Sequence, residues 1–175
     1  TITPEQHLAF SRWFGEIETH AYAKGLPGHP EILPVIKEAE DRAANFGGIW
    51  HSDVSFHEAP PMGQILYALE VPESGGDTIF VNMYRAYDAL SDGMKEFLSG
   101  LRAVHSDASL GSRNKGRALK VKAGAKGRPS YEATHPVIRT HPETGRKSIF
   151  VHKPYTTRFE NMTVAESKPL LDFLY

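Results

Sequence analysis

The sequence predicts a β-rich α+β domain with helices at its edges. Two observations point to it. Apolar runs rich in Ile, Val, Phe and Tyr alternate with Gly- and Pro-containing turns. Helix-start signatures, a Ser, Thr or Asn ahead of an apolar-periodic run, occur near the start, the middle and the end. No internal repeat and no second-domain linker divides the 175 residues, which suffice for one domain with a core. One domain over 1–175 is therefore expected.

The elements follow in order. In "TITPEQHLAFSRWFGEIE", Thr3 can cap a helix, Pro4 suits its first position and Gln6 completes a capping box. Phe10, Trp13, Phe14 and Ile17 recur at helical spacing, and such a stripe reads as core packing. "EILPVI" (31–36) is strand-like, with Pro34 suggesting an edge. "IWHSDVSF" (49–56), "GQILYALEV" (63–71) and "TIFVNM" (78–83) read as further strands, the last after the turn "PESGGD". Two short helices follow, one capped by Asn82 and one by Ser91 and closed near Gly100. "LRAVHS" returns to strand, and "HPVIRTHPETGRKSIFVHK" reads as a hairpin over a Pro/Gly turn. Thr163 and Glu166 form a second capping box, from which a helix runs to Tyr175.

Residues 107–130 stand apart. They are rich in Gly and Ser and carry Arg113, Lys115, Arg117, Lys120, Lys122, Lys126 and Arg128 against one acid, Asp107. This reads as a long basic loop, either a solvated segment or a lid that would attract an anionic substrate. It has no aromatic side chain for base stacking, which argues against nucleic acid.

Composition narrows the chemistry. The formal net charge of −1 gives no global argument for nucleic acid or an anionic membrane. No apolar run is long enough to span a bilayer, and the N-terminus lacks a secretory pattern. Cysteine is absent, which fits a cytoplasmic protein and excludes thiolate metal sites. Any metal must be held by nitrogen and oxygen ligands, for which nine histidines are available.

His51 and Asp53 are the candidate pair. Two apart on a strand, they project from one face with Cα atoms ~6.6 Å apart. Imidazole plus carboxylate suits a divalent ion of intermediate hardness, as in a two-histidine, one-carboxylate site open to oxygen chemistry on Fe(II). The alternative is a structural His–Asp hydrogen bond. His57 shares the face by parity, but an extended strand would put it ~13 Å from Asp53, too far for one ion. His135 and His141 each precede proline near a turn, and His152 ends an apolar strand, read as a half-exposed imidazole. In "SGGDTIF", Gly75 and Gly76 permit a tight turn and Thr78 offers a hydroxyl.

Taken together, "WHSDVSF…PP…GGDTIFVNMYRAYDALS…LRAVHS…HPVIRTHPETGRKSIFV…YTTRF" resembles the taurine dioxygenase family, which includes chlorophenoxyacetate and alkylsulfate dioxygenases. The resemblance implies an Fe(II)- and 2-oxoglutarate-dependent oxygenase on a double-stranded β-helix, or jelly roll. It implies that His51 and Asp53 ligate the metal and that Thr78 hydrogen-bonds 2-oxoglutarate. It also implies that His20 contacts the anionic group of a small substrate and that Tyr155 lines its pocket. O2 is the oxidant. The family's second histidine ligand and its 2-oxoglutarate-pairing arginine are expected beyond Tyr175, and a first strand and helix before Thr1, so the chain reads as truncated. Gly47, Ala23 and His152 depart from residues frequent in the family, which weakens a taurine assignment. A folded but inactive fragment or oligomeric binding module is the alternative. A zinc hydrolase is disfavoured, because no further His/Asp cluster accompanies the pair. Strand edges left open would favour a homo-oligomer.

Overall fold

The computed structural model describes residues 1–20, 23–38, 40, 47–108 and 130–175. Most of the basic segment 107–130 lies outside the described residues. The described residues divide into two compact units: those of 1–48 and 61–76 in the first, and those of 49–60, 77–108 and 130–175 in the second.

In the first unit, helix α1 (Pro4–Ser11) starts as its sequence dictates. The Thr3 hydroxyl accepts from the Gln6 N–H, and the Gln6 side chain accepts from the Thr3 N–H. The helix tightens into a 3₁₀ turn, Arg12–Phe14, after only two turns. The aromatic stripe is not core. Phe10, Trp13 and Phe14 are exposed at 48%, 84% and 57%, and Phe10 packs on the other two at ring distances of 6.1 and 5.3 Å. Glu5 pairs with His29 at 3.0 Å, tying α1 to the tight turn that Leu26 and Ile32 close. Gly25 is required there, since a Cβ would sit 2.3 Å from the Pro30 carbonyl oxygen.

The second unit holds the regular structure. Asn82 caps α2 (Met83–Asp88), accepting from the Tyr84 and Arg85 N–H groups, and Ser91 caps α3 (Asp92–Ser99), which ends at Gly100. Strand β1 (Arg102–Ser106) lies between β2 (Glu132–Pro136) and β5 (Thr156–Phe159) in an antiparallel sheet of order β2-β1-β5. Strands β3 (Ile138–Thr140) and β4 (Lys147–Ile149) form the expected hairpin, closed by His141–Gly145. The core gathers Leu98, Ala103, Val137, Ile138, Ile149, Val151, Phe159 and Leu171.

The last helix, α4 (Val164–Leu174), has the capping box of Thr163 and Glu166. Ser167 joins it to the sheet. Its hydroxyl donates to the Thr163 carbonyl at 2.8 Å and accepts from the Phe159 N–H at 2.9 Å, fully buried.

Four expected strands, 31–36, 49–56, 63–71 and 78–83, are absent from the described residues. Apolar alternation makes a strand only where a neighbouring strand takes up its N–H and C=O groups. None does so here, and Leu66, Leu69, Val71, Ile79 and Phe80 stay at least two-thirds exposed. Conversely, β2 and β5 are short and polar ("EATHP" and "TTRF") and become strands because β1 pairs with both. No helix among the described residues is long and apolar enough to cross a membrane.

Ser167→Ala should strand the buried Phe159 N–H and lower unfolding stability by about 1–3 kcal/mol, read by chemical denaturation. An unchanged midpoint would mean that the α4–β5 junction does not depend on this hydroxyl.

Candidate active site

The site is built on a turn rather than a strand. Residues 53–56 form a turn in which the His57 N–H donates to the Val54 carbonyl at 3.0 Å. Val54 sits at φ 53°, left-handed backbone that a β-branched residue adopts only at a cost of about 1–2 kcal/mol. The extended-strand separation between Asp53 and His57 therefore does not apply.

His51 and Asp53 nevertheless converge. His51 Nε2 lies 3.1 Å from Asp53 Oδ1. His51 Nδ1 donates to the Ile49 carbonyl at 2.6 Å, because a carbonyl can only accept. The hydrogen bond to Asp53 is the main cause holding the His51 pKa above its ordinary value; burial opposes it and the Ile49 carbonyl adds to it.

The donor set fits a metal ion. Two ligand atoms at right angles, each ~2.1 Å from one ion, would be ~3 Å apart, close to the separation observed. A backbone carbonyl on Nδ1 is the usual device for fixing a ligating imidazole with its Nε2 lone pair toward the metal. No third His, Asp or Glu joins the pair into a group able to hold a metal among the described residues.

Tyr155 belongs to this neighbourhood. Its ring meets those of His51, Phe56 and His152 edge-on at 6.4, 5.2 and 5.4 Å. Thr78 is exposed, on a segment without strand pairing. His20 lies in the first unit, where its Nδ1 accepts from the Ala23 N–H at 3.1 Å.

Behind the turn lies a buried histidine cluster that the sequence reading missed. His105, on β1, bonds Ser55 Oγ through Nδ1 at 2.9 Å. His135, on β2, directs Nε2 at the carbonyls of Ser55 and His57, 2.9 and 3.0 Å away, and so must carry its proton there. His135 is thus an interior residue of a strand rather than part of a loop. His152 is 8% exposed, a buried imidazole and not a half-exposed one, with neither ring nitrogen hydrogen-bonded. The rings of His135 and His152 each stand 5.3 Å from that of His105, which stacks on Phe150. His141 is a turn residue, as expected, its Nδ1 accepting from the Glu143 and Thr144 N–H groups. Alternation along β1 gives no signal for His105, because Ala103, Val104, His105 and Ser106 are all buried and the pairing with β5 shifts register between Val104 and His105.

Burial keeps these imidazoles neutral. It pushes His105 down to about 3, and repulsion from Arg139, or from His152 or His135 were they protonated, acts in the same direction. It pushes His152 down to about 4, where His51 and His135 lower and Asp53 raises. Burial lowers His135 as well.

Residues 1–175 match the family described as taurine catabolism dioxygenase TauD, TfdA family. A Schizosaccharomyces pombe protein, provisionally named an alpha-ketoglutarate-dependent sulfonate dioxygenase, is 41% identical over 98% of this chain and 45% of its own length. An alpha-ketoglutarate-dependent sulfonate dioxygenase of Saccharomyces cerevisiae is 31% identical over 98% of this chain and 42% of its own. The crystal structure of a taurine dioxygenase from Burkholderia xenovorans superposes with a TM-score of 0.70 and 32% identity, over 98% of this chain and 54% of that one. The chain belongs to the TauD/TfdA family, and spans about half the length of the curated relatives it matches.

His105 and His152 give stability a definite pH dependence. Each binds fewer protons folded than unfolded between its lowered value and the ordinary one near 6.5. Their contribution is complete above about pH 6.5 and is lost as pH falls toward 4 and then 3. Denaturant melts from pH 7 to 4 should therefore show falling stability, and His105→Phe should flatten the slope. An unaltered slope in that variant would contradict a neutral, buried His105.

Proposed function

We propose, with membership of the TauD/TfdA family as the premise, that this chain carries the metal-binding half of an Fe(II)- and 2-oxoglutarate-dependent dioxygenase acting on a small anionic substrate. The observation that carries this reading is the His51 Nε2–Asp53 Oδ1 separation of 3.1 Å, with His51 Nδ1 occupied by the Ile49 carbonyl. A structural ion pair needs only the first contact. The second leaves Nε2, which faces Asp53, as the nitrogen through which His51 would ligate a metal once its proton is displaced. Some relatives are named for sulfonates and, in Acinetobacter baylyi and Pseudomonas putida, for alkylsulfates and sulfate esters, which supports an anionic sulfur-oxygen substrate here.

His51 and Asp53 would hold the iron. Iron, with 2-oxoglutarate and O2, supplies the oxidising chemistry when bound. The chain's own residues orient and enclose. The Ile49 carbonyl fixes the His51 tautomer, and the Tyr155 ring walls the site beside His51. Thr78 and His20 take the roles their motif positions suggest, a hydroxyl for a carboxylate of 2-oxoglutarate and an imidazole for the anionic group of the substrate. The sheet of β1, β2 and β5 with the β3–β4 hairpin is read as part of a double-stranded β-helix.

A second reading is favoured by the absence of a third ligand among the described residues. On that reading the 175-residue chain folds and takes up metal weakly, but does not turn over. Succinate formation from 2-oxoglutarate with Fe(II) separates the two, in this chain and in a polypeptide extended past Tyr175. We expect turnover in the extended form with a sulfonate or sulfate ester, loss of its iron in His51→Ala, and none in the short chain. Turnover by the short chain would remove the second reading. Silence of the extended form across sulfonates, sulfate esters and aryloxy acids would remove the first.

A further inference from the structure

We propose that His105 and His135 are positioning residues for the metal pair: from the central and edge strands, they hold the 53–57 turn through Ser55 and so set where Asp53 lies relative to His51. The proposal rests on the iron-site reading above.

Two bonds converge on Ser55 and a third on the same turn. Its side chain is held by His105 Nδ1 at 2.9 Å, its carbonyl by His135 Nε2 at 2.9 Å, and the same His135 nitrogen reaches the His57 carbonyl at 3.0 Å. Ser55 and His105 are fully buried and His135 is 6% exposed, so water does not compete for these bonds. The turn they grip is strained. Val54, between Asp53 and Ser55, occupies left-handed backbone, which persists only where its surroundings over-determine it. Asp53 is thus two residues from a point fixed on both its side chain and its backbone. The register of β1 and β2 holds the two anchors in step, because Ala103 pairs with His135 and His105 with Ala133.

The residue types matter. A neutral imidazole donates from one nitrogen only, and His135 spends that proton on two backbone carbonyls. Leu would fill part of the volume and leave both carbonyls unsatisfied. Gln carries an amide N–H at about the reach of Nε2 and preserves the donor. A residue that merely stabilises the fold would change stability and leave the metal pair alone. A positioning residue changes metal affinity, and its conservative variant restores it.

The test is a Co(II) titration of the full chain, read by paramagnetic broadening of the His51 ring protons. His135→Leu should weaken binding roughly tenfold or more, and His135→Gln should stay within about threefold of the wild type. Ser55→Ala, which removes only the His105 partner, should weaken it about threefold. Ser167→Ala, which acts at the α4–β5 junction, should lose stability with no change in Co(II) affinity. Equal affinity in the wild type and His135→Leu overturns the proposal. If His135→Leu does not fold, unchanged affinity in Ser55→Ala overturns it instead. Co(II) that leaves the His51 protons sharp in the wild type overturns the iron-site reading and the proposal with it.

Discussion

The bond from His135 Nε2 to the carbonyls of Ser55 and His57 is the constraint on which the site depends. It links a strand with a firm hydrogen-bonding ladder to a segment with none. The 49–60 stretch has no strand partner among the described residues, and Val54 opposes its local shape. Left to propensity, "IWHSDVSF" would extend. Two imidazoles from the sheet and one serine instead hold it bent, with His51 and Asp53 at a separation that one ion can bridge.

Such anchoring demands neutral histidines. Three imidazole rings crowded within 5.3 Å steps cannot share charge in a buried space, and burial accordingly depresses His105, His135 and His152. His51 shifts the opposite way because it faces a carboxylate. One cluster therefore sets imidazoles lowered by burial beside one raised by its carboxylate partner. The difference arises from burial and partners, since the side chains are chemically identical.

Much of this was legible in the sequence, and the exceptions have physical causes. Capping boxes at Thr3 and Thr163, the caps at Asn82 and Ser91 and the β3–β4 hairpin are local codes, settled within a few residues, and all are present. Strands depend on partners far along the chain, so "GQILYALEV" and "TIFVNM" carried the pattern without the ladder, while "EATHP" and "TTRF" gained the ladder without the pattern. The His51–Asp53 pair was identified from spacing on a supposed strand. The pair does converge, but without strand pairing and just ahead of a turn at Val54, a backbone feature that no side-chain pattern announces. Nothing local singles out His105 or His135, because their partner Ser55 is 50 and 80 residues away.

The claim that neutral imidazoles on the sheet hold the metal-binding turn is tested most directly by the protonation state of His135. A long-range ¹⁵N–¹H correlation spectrum of the histidine side chains at neutral pH reads it residue by residue. The account predicts a neutral His135 with its proton on Nε2. A His135 protonated on Nδ1 alone, or carrying both protons at that pH, would contradict it.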